Sequence, residues 1–381
     1  MRVSGKRRRG GVLLTGLASV LLAVSTGPTT AAHPRQADTL QQRVEAVHDT
    51  GVVGASAEVT SPHTRDSARV GTARRGTARP MPQNGRFRIG SATKTFTAAV
   101  VLQLVGEGRM SLDDTVEQWL PDVVRGSGQI TVRQLLQHTS GIPDVRPEIP
   151  ALNSAAGYRA ERGRTYTPQD LVRLAMRNPL PASLDRDWSY SNTNYVLAAM
   201  IVQEVTGRSW AQEVNARIIR PLKLEDTSAP GASASIPGAH ARSYAAFGTD
   251  NSIDVTILNS SMAIGSGSLI STTHDLNRFY TALLGGRLLA PAQLDEMTAT
   301  VPAPGLGMPG VRYGLGLGEI PLPCGGSYFG HPGELLGYHS WSGVTADGTR
   351  AAVVYVTSDG GLGTREAISA LVGRELCRTR P

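Results

Sequence analysis

Leu40, Val44 and Val47 recur at helical spacing and the run stops at Gly51, which predicts an amphipathic helix there. Gly54 to Val59 and Ala68 to Thr72 read as short strands. Residues 73–85, with three Arg, two Gly and two Pro, read as an exposed loop. Phe96, Val100, Val101 and Leu104 then mark a helix ending near Gly108. Another follows near Asp275 to Leu284, after a turn at Gly265-Ser266-Gly267-Ser268. Tyr313 to Leu317, Ser327 to Gly330, Tyr338 to Val344 and Arg350 to Thr357 are strand candidates, the last two joined by the hairpin signal Asp347-Gly348. Ile368, Leu371, Val372 and Leu376 mark a closing helix. The expected fold is α/β, of the α+β kind. An antiparallel sheet is drawn from both chain ends (about 39–90 and 301–381), flanked by terminal helices and carrying a large, mainly helical insertion (about 91–300).

The 381 residues carry a formal charge of +7, a balance that invites a nucleic-acid reading. Arg2, Lys6, Arg7, Arg8 and Arg9 supply five of those charges, and they precede an apolar stretch from Val12 to Val24 and the small-residue site Thr30-Ala31-Ala32. That is the three-part form of a secretory signal peptide over residues 1–32, with a twin-arginine route as the second choice. Without these residues the charge is +2, so no nucleic-acid partner is expected. No later apolar stretch reaches the ~18 residues of a membrane span, the longest running from Phe96 to Val105. The remaining 33–381 is expected to be a secreted, soluble monomer without a membrane anchor. In an oxidising compartment Cys324 and Cys377 read as one disulfide.

The sharpest chemical feature is Ser91-Ala92-Thr93-Lys94 at the start of a helix. Residues three apart share a helix face, so the Lys94 amine can reach the Ser91 hydroxyl, and the helix start offers free N–H groups to a developing oxyanion. The chain uses 35 Arg but only Lys6, Lys94 and Lys223. Arginine cannot give up its proton in a protein whereas a buried lysine can, so Lys94 is placed where a base is needed. In Tyr190-Ser191-Asn192, extended backbone would turn the phenol and the amide toward one cleft, the first as a proton shuttle and the second to orient Lys94 or a substrate carbonyl. His331-Pro332-Gly333 could border a cleft, with His331 bonding a substrate or nearby hydroxyls and Gly333 letting a ligand approach the backbone. His138, before a glycine stop, reads as a helix-end packing residue. No metal-ligand spacing occurs, and no metal or other cofactor is expected.

In this order, Ser91-x-x-Lys94, Tyr190-x-Asn192 and His331-x-Gly333 resemble the three-motif signature of serine penicillin-binding enzymes and serine β-lactamases. The likeness is strongest to secreted soluble D-alanyl-D-alanine carboxypeptidases and runs over about residues 40 to 377, including Phe87-Arg88-Ile89-Gly90 and Tyr313-Gly314-Leu315-Gly316-Leu317. It implies an acyl-enzyme on Ser91 with Lys94 and Tyr190 sharing the proton transfers, an oxyanion hole from the backbone N–H groups of Ser91 and Glu334, and Asn192 and His331 lining the site. The substrate is then a small molecule or peptide: a D-alanyl peptide of the cell wall, or, as alternatives, an ester, a D-amino-acid amide or a β-lactam. A non-catalytic penicillin-binding sensor is the competing class, and the presence of Ser91, Lys94 and Tyr190 speaks against it. One departure matters. Gly318, Glu319, Pro332 and Glu334 stand where the resembled carboxypeptidases hold a terminal carboxylate with a cation and hydroxyls, and Arg312 is the nearest basic residue in sequence. Neutral leaving groups are expected to be favoured.

Overall fold

Ala351–Val356 is buried at every position, and such a run suits a strand covered on both faces. The computed structural model describes residues 39–378 except 125, 179, 181–186, 249, 250 and 362; the proposed leader, 1–32, lies outside them. The strands are β1 (Gly54–Ser61), β2 (Thr64–Gly71), β3 (Val301–Pro302), β4 (Arg312–Tyr313), β5 (Gly318–Pro321), β6 (Ser327–Leu335), β7 (Tyr338–Thr345) and β8 (Ala351–Val356). They form one antiparallel sheet in the order β2-β1-β8-β7-β6-β5-β4-β3. Its members come from two stretches more than 200 residues apart.

Six helices frame the sheet and the site: α1 (Leu40–His48), α2 (Thr93–Gly106), α3 (Val132–Gln137), α4 (Asn192–Thr206), α5 (Thr273–Leu284) and α6 (Thr364–Cys377). Alternation along the strands divides the core. Val354, Val356 and Trp341 pack with Leu40 and Val44 of α1 and Leu371 and Val372 of α6. Val353 and Tyr355 face the other way, toward Leu276, Phe279 and Leu283 of α5. Against α5 lies α2, with the rings of Phe96 and Phe279 stacked 3.6 Å apart. From Thr93 to Leu102 every residue of α2 is buried, as expected of a helix with no polar face. Cys324, in the turn between β5 and β6, is bonded to Cys377 at the end of α6, with their Cα atoms 5.9 Å apart.

The local readings differ from the observed elements in instructive places. β2 begins at Thr64 rather than Ala68. Of Tyr313 to Leu317, read as a strand, only Tyr313 belongs to one, Arg312–Tyr313; beyond it the Gly314 N–H donates to Leu317 O and Gly316 adopts φ +75°. A strand from Gly318 to Pro321 then follows that the pattern does not announce. Conversely, β6 runs through Gly330, Pro332 and Gly333 to Leu335. β5 pairs with it only from Ser327 to Gly330, so Pro332 sits where that edge is open, a position where a missing N–H breaks no ladder. The loop 73–85 is largely exposed, yet Met81 within it is buried.

Candidate active site

The turn that carries Ser91 is seated directly on β6. Gly90–Ala92 forms a short 3-10 turn leading into α2, and Gly90 adopts φ +51°, the left-handed region that suits glycine. A Cβ on Gly90 would lie 2.5 Å from both N and O of Glu334, and one on Gly333 would lie 2.1 Å from Ile89 O. Gly333 is therefore required by the turn that carries Ser91, and it also lines the cleft, where the sequence reading has a ligand approach the backbone. The same contact brings the Glu334 backbone beside the residue preceding Ser91.

One helical step further on, Lys94 is wholly buried while Ser91 is part-exposed. The Lys94 Nζ lies 2.7 Å from Asn192 Oδ1, 2.8 Å from Ser266 O and 3.2 Å from Ser91 Oγ. It also sits 4.8 Å from the Tyr190 ring centre and 5.5 Å from that of Tyr195. Burial lowers its pKa to about 7, with the Asp144 carboxylate acting in the opposite direction. The Tyr190 phenol is pushed above its ordinary range by burial, against the influence of a hydrogen bond with Ser91. At neutral pH it is a proton-bearing group.

Asn192 opens α4, three residues earlier than the helical periodicity suggests, and Ser191 before it is extended. Tyr190 and Asn192 nonetheless both line the cleft. The Asn192 backbone N–H and its Nδ2 both donate to Asp144 Oδ1, at 2.9 and 3.0 Å, and Nδ2 lies 3.2 Å from Oδ2. Pro143 O meanwhile accepts from Thr193 Oγ1 at 2.7 Å, so residues 143–144 and the start of α4 are held together.

His138 is the left-handed C-cap of α3 and is buried. Its Nδ1 accepts from the Ser191 N–H at 3.2 Å and its ring lies 4.3 Å from that of Tyr190, so it packs against the back of the phenol. His331 lines the cleft, and of the two partners the sequence suggested, a substrate or nearby hydroxyls, its Nε2 meets a hydroxyl. Nε2 is 2.9 Å from the Tyr313 hydroxyl and Nδ1 is 2.5 Å from Pro332 O. Burial, and then the Lys94 charge, lower its pKa to about 3. It is a neutral imidazole with Nδ1 as the donor and Nε2 as the acceptor. The Glu334 side chain is 59% exposed and turns to Arg146, at 3.4 Å, and His339, at 3.9 Å.

Ser91, Asp144, Tyr190, Asn192, His331 and Glu334 border a cleft of about 710 Å³, with Ile149, Leu152, Met262 and Leu306 supplying apolar wall; Lys94 and His138 lie buried behind it. Arg312 is not in it: its guanidinium bonds Thr300 and stands 3.7 Å from Glu319. Two arginines do line the cleft, Arg146 beside Glu334 and Arg365, which donates to Leu306 O at 2.8 Å. Among the described residues no group of three or more His, Cys, Asp or Glu could hold a metal ion. Sequence reasoning missed Asp144, Ser266 and Tyr313. Ser266 acts through its carbonyl, which leaves no mark on residue type, whereas an Asp in a loop after the Ser140-Gly141 turn was a readable but weak signal.

The family profile described as Beta-lactamase matches residues 37–374. The chain is 32% identical to Penicillin-binding protein 4* of Bacillus subtilis (strain 168) over 151 residues, covering 39% of this chain and 32% of that protein. It is 33% identical to Protein flp of Staphylococcus aureus (strain MW2) over 148 residues, 38% of this chain and 28% of that one. The aligned stretch thus spans about a third of the length of these curated relatives. Solved structures are matched far more fully. A D-stereospecific amidohydrolase from Streptomyces sp. superposes with a TM-score of 0.82 at 40% identity, covering 90% of this chain and 98% of that one. The D-amino acid amidase of Ochrobactrum anthropi SV3, complexed with L-phenylalanine amide, gives 0.77 at 30% identity, covering 87% and 96%. An octameric penicillin-binding protein homologue from Pyrococcus abyssi gives 0.73 at 25%, covering 86% and 74%.

Proposed function

The chain belongs to the beta-lactamase family, and we propose that within it this is a secreted serine hydrolase that forms an acyl-enzyme on Ser91 from D-aminoacyl amides, esters or peptides, with neutral leaving groups preferred. The observation that carries the catalytic reading is the surroundings of Lys94. A neutral amine has two N–H donors and one lone pair. Asn192 Oδ1 and Ser266 O lie at 2.7 and 2.8 Å and take the two hydrogens, which directs the lone pair at Ser91 Oγ, 3.2 Å away. With a pKa near 7 the amine is substantially in that form at neutral pH.

In this mechanism Ser91 Oγ attacks the substrate carbonyl while its proton passes to Lys94. The carbonyl electrons move onto oxygen, which the N–H groups of Ser91 and Glu334 stabilise. The C–N or C–O bond then breaks, and the leaving group takes the Tyr190 proton, which Lys94 replaces. Water repeats the sequence in reverse roles and frees the acid and Ser91. Asn192 and His331 shape the wall in which this occurs.

The preference for neutral leaving groups rests on charge. Arg312 is engaged by Thr300 and Glu319, outside the cleft, while Arg146 pairs with Glu334 and Arg365 is held by Leu306 O. A terminal carboxylate beside Glu334 would meet an Arg146 already paired and be weakly compensated there, and Arg365, whose carbonyl partner leaves its charge in place, is the cleft cation that would have to reach it. Likeness to the D-stereospecific amidohydrolase over nearly both whole chains supports the same choice. Export through a leader at 1–32, ahead of a single hydrolase domain, fits the Cys324–Cys377 bond.

The test is intact-mass spectrometry with a fluorescent penicillin, alongside kcat/KM for a D-alanyl peptide, its methyl ester and its amide. The ester and amide are expected to exceed the free acid by roughly 100-fold, the factor for a few kcal/mol in the transition state. A clear preference for the free carboxylate would restore the carboxypeptidase reading.

A further inference from the structure

We propose that Asp144 is a positioning residue that fixes the Asn192 side chain with its carbonyl toward Lys94, and thereby decides which atom Lys94 presents to Ser91. The inference rests on the reading of Ser91 and Lys94 given above.

An Asn side chain can lie either way round, and the two orientations have opposite consequences here. With Oδ1 toward Lys94, the amide accepts a hydrogen from the amine. Reversed, it would offer N–H to N–H and leave the lone pair of the amine free to turn away from Ser91. A carboxylate accepts hydrogen bonds and donates none. Asp144 takes Asn192 Nδ2 at 3.0 and 3.2 Å and the Asn192 N–H at 2.9 Å, so only the productive orientation satisfies it. The resulting chain runs from Asp144 through Asn192 and Lys94 to Ser91 without a gap. Asp144 is itself held from behind, since its Oδ1 lies 3.3 Å from the Arg146 N–H.

Asp144 also acts at a distance. The ionisable groups facing Lys94 are Tyr190 on the approach to α4, Tyr195 within it, His138 at the end of α3, His331 on β6 and Asp144. Arg146 and Glu334 face each other at the rim. The tyrosines and histidines of this set are neutral at pH 7, because burial disfavours their charged forms. That leaves the Asp144 carboxylate as the anion that counters the desolvation of Lys94.

Lysine-selective ¹³Cε labelling of the full chain provides a direct readout, because the sequence holds only three lysines, Lys6, Lys94 and Lys223. Wild type, Asp144→Asn and Asp144→Glu are titrated by NMR, and the pH profile of kcat/KM is followed on the ester or amide that wild type hydrolyses best. The amide introduced by Asp144→Asn can donate as well as accept and carries no charge. In that variant the Lys94 midpoint is expected to fall by about one pH unit, the size of effect of one nearby charge, and kcat/KM at pH 8 to fall at least tenfold. Asp144→Glu should bring the midpoint back toward wild type, which a merely structural role would not. An unchanged Lys94 midpoint in folded Asp144→Asn overturns the proposal. A wild type without activity, with the shift present, would instead overturn the Ser91 reading and leave the coupling standing.

Discussion

The Tyr313 hydroxyl meets His331 Nε2 at 2.9 Å inside the protein, on the side of the imidazole away from the Pro332 carbonyl. Both groups are buried. Tyr313→Phe removes the hydroxyl that His331 Nε2 accepts from and leaves a buried acceptor unpaired, at a cost of ~1–3 kcal/mol. Urea denaturation is expected to show that loss, while the pH midpoint of turnover stays put because neither group titrates near neutrality. Unchanged stability would mean that the bond contributes nothing.

Ser91→Ala should remove both the mass adduct with an acylating penicillin and turnover of any substrate. Lys94→Arg is expected to be nearly as damaging although it keeps the charge, since arginine does not release its proton and its planar fork does not fit an ammonium site. Substantial activity in either variant would reject the assignment.

Lys94 fixes the direction of the pH dependence. The base form is needed, so kcat/KM should rise tenfold per pH unit below about 7 and level off above it. Stability is linked with the same sign. The unfolded chain holds the lysine proton up to about 10.4, and the folded chain releases it near 7. Between those values the unfolded state binds more protons, so folding becomes more favourable as pH rises through the window. Lys94→Met lacks that penalty at every pH. Its melting temperature is expected to exceed wild type at pH 6 and to converge with it toward pH 10; a constant difference would contradict the low pKa.

The bond between Cys324 and Cys377 closes a separation of 53 residues. Chain entropy assigns it about 4 kcal/mol as an upper value. Reduction, or Cys324→Ser with Cys377→Ser, should lower the melting temperature by roughly 5 °C in a protein of this size. Calorimetry with and without reductant checks this.

What the sequence made readable was local. The α1 periodicity, the all-apolar run of β8 and its Asp347-Gly348 turn each describe an element that forms from its own residues. Ser91 and Lys94 were readable because one helix turn joins them. β6 was cut short because Gly330, Pro332 and Gly333 look like breakers, and only the open edge beyond β5 and the close approach of Ile89 explain them. Asp144 and Ser266 O reach the site from loops whose positions depend on distant packing, and Ser266 contributes only a backbone atom. His331 was read as bonding a substrate or nearby hydroxyls, and the hydroxyl it meets, that of Tyr313, lies two strands away in β4, where no spacing rule connects the two.

The seat of the Ser91 turn on β6 bears on when the site can form. Ser91 and Lys94 are synthesised early, but Gly333 and Glu334, against which Ile89 and Gly90 close, come some 240 residues later. A chain still emerging from the ribosome carries Ser91 and Lys94 without the floor that orients them. On the mechanism proposed above, acylation waits until the C-terminal strands have docked, and a fragment ending before residue 327 should be inert toward the very substrates the finished protein consumes.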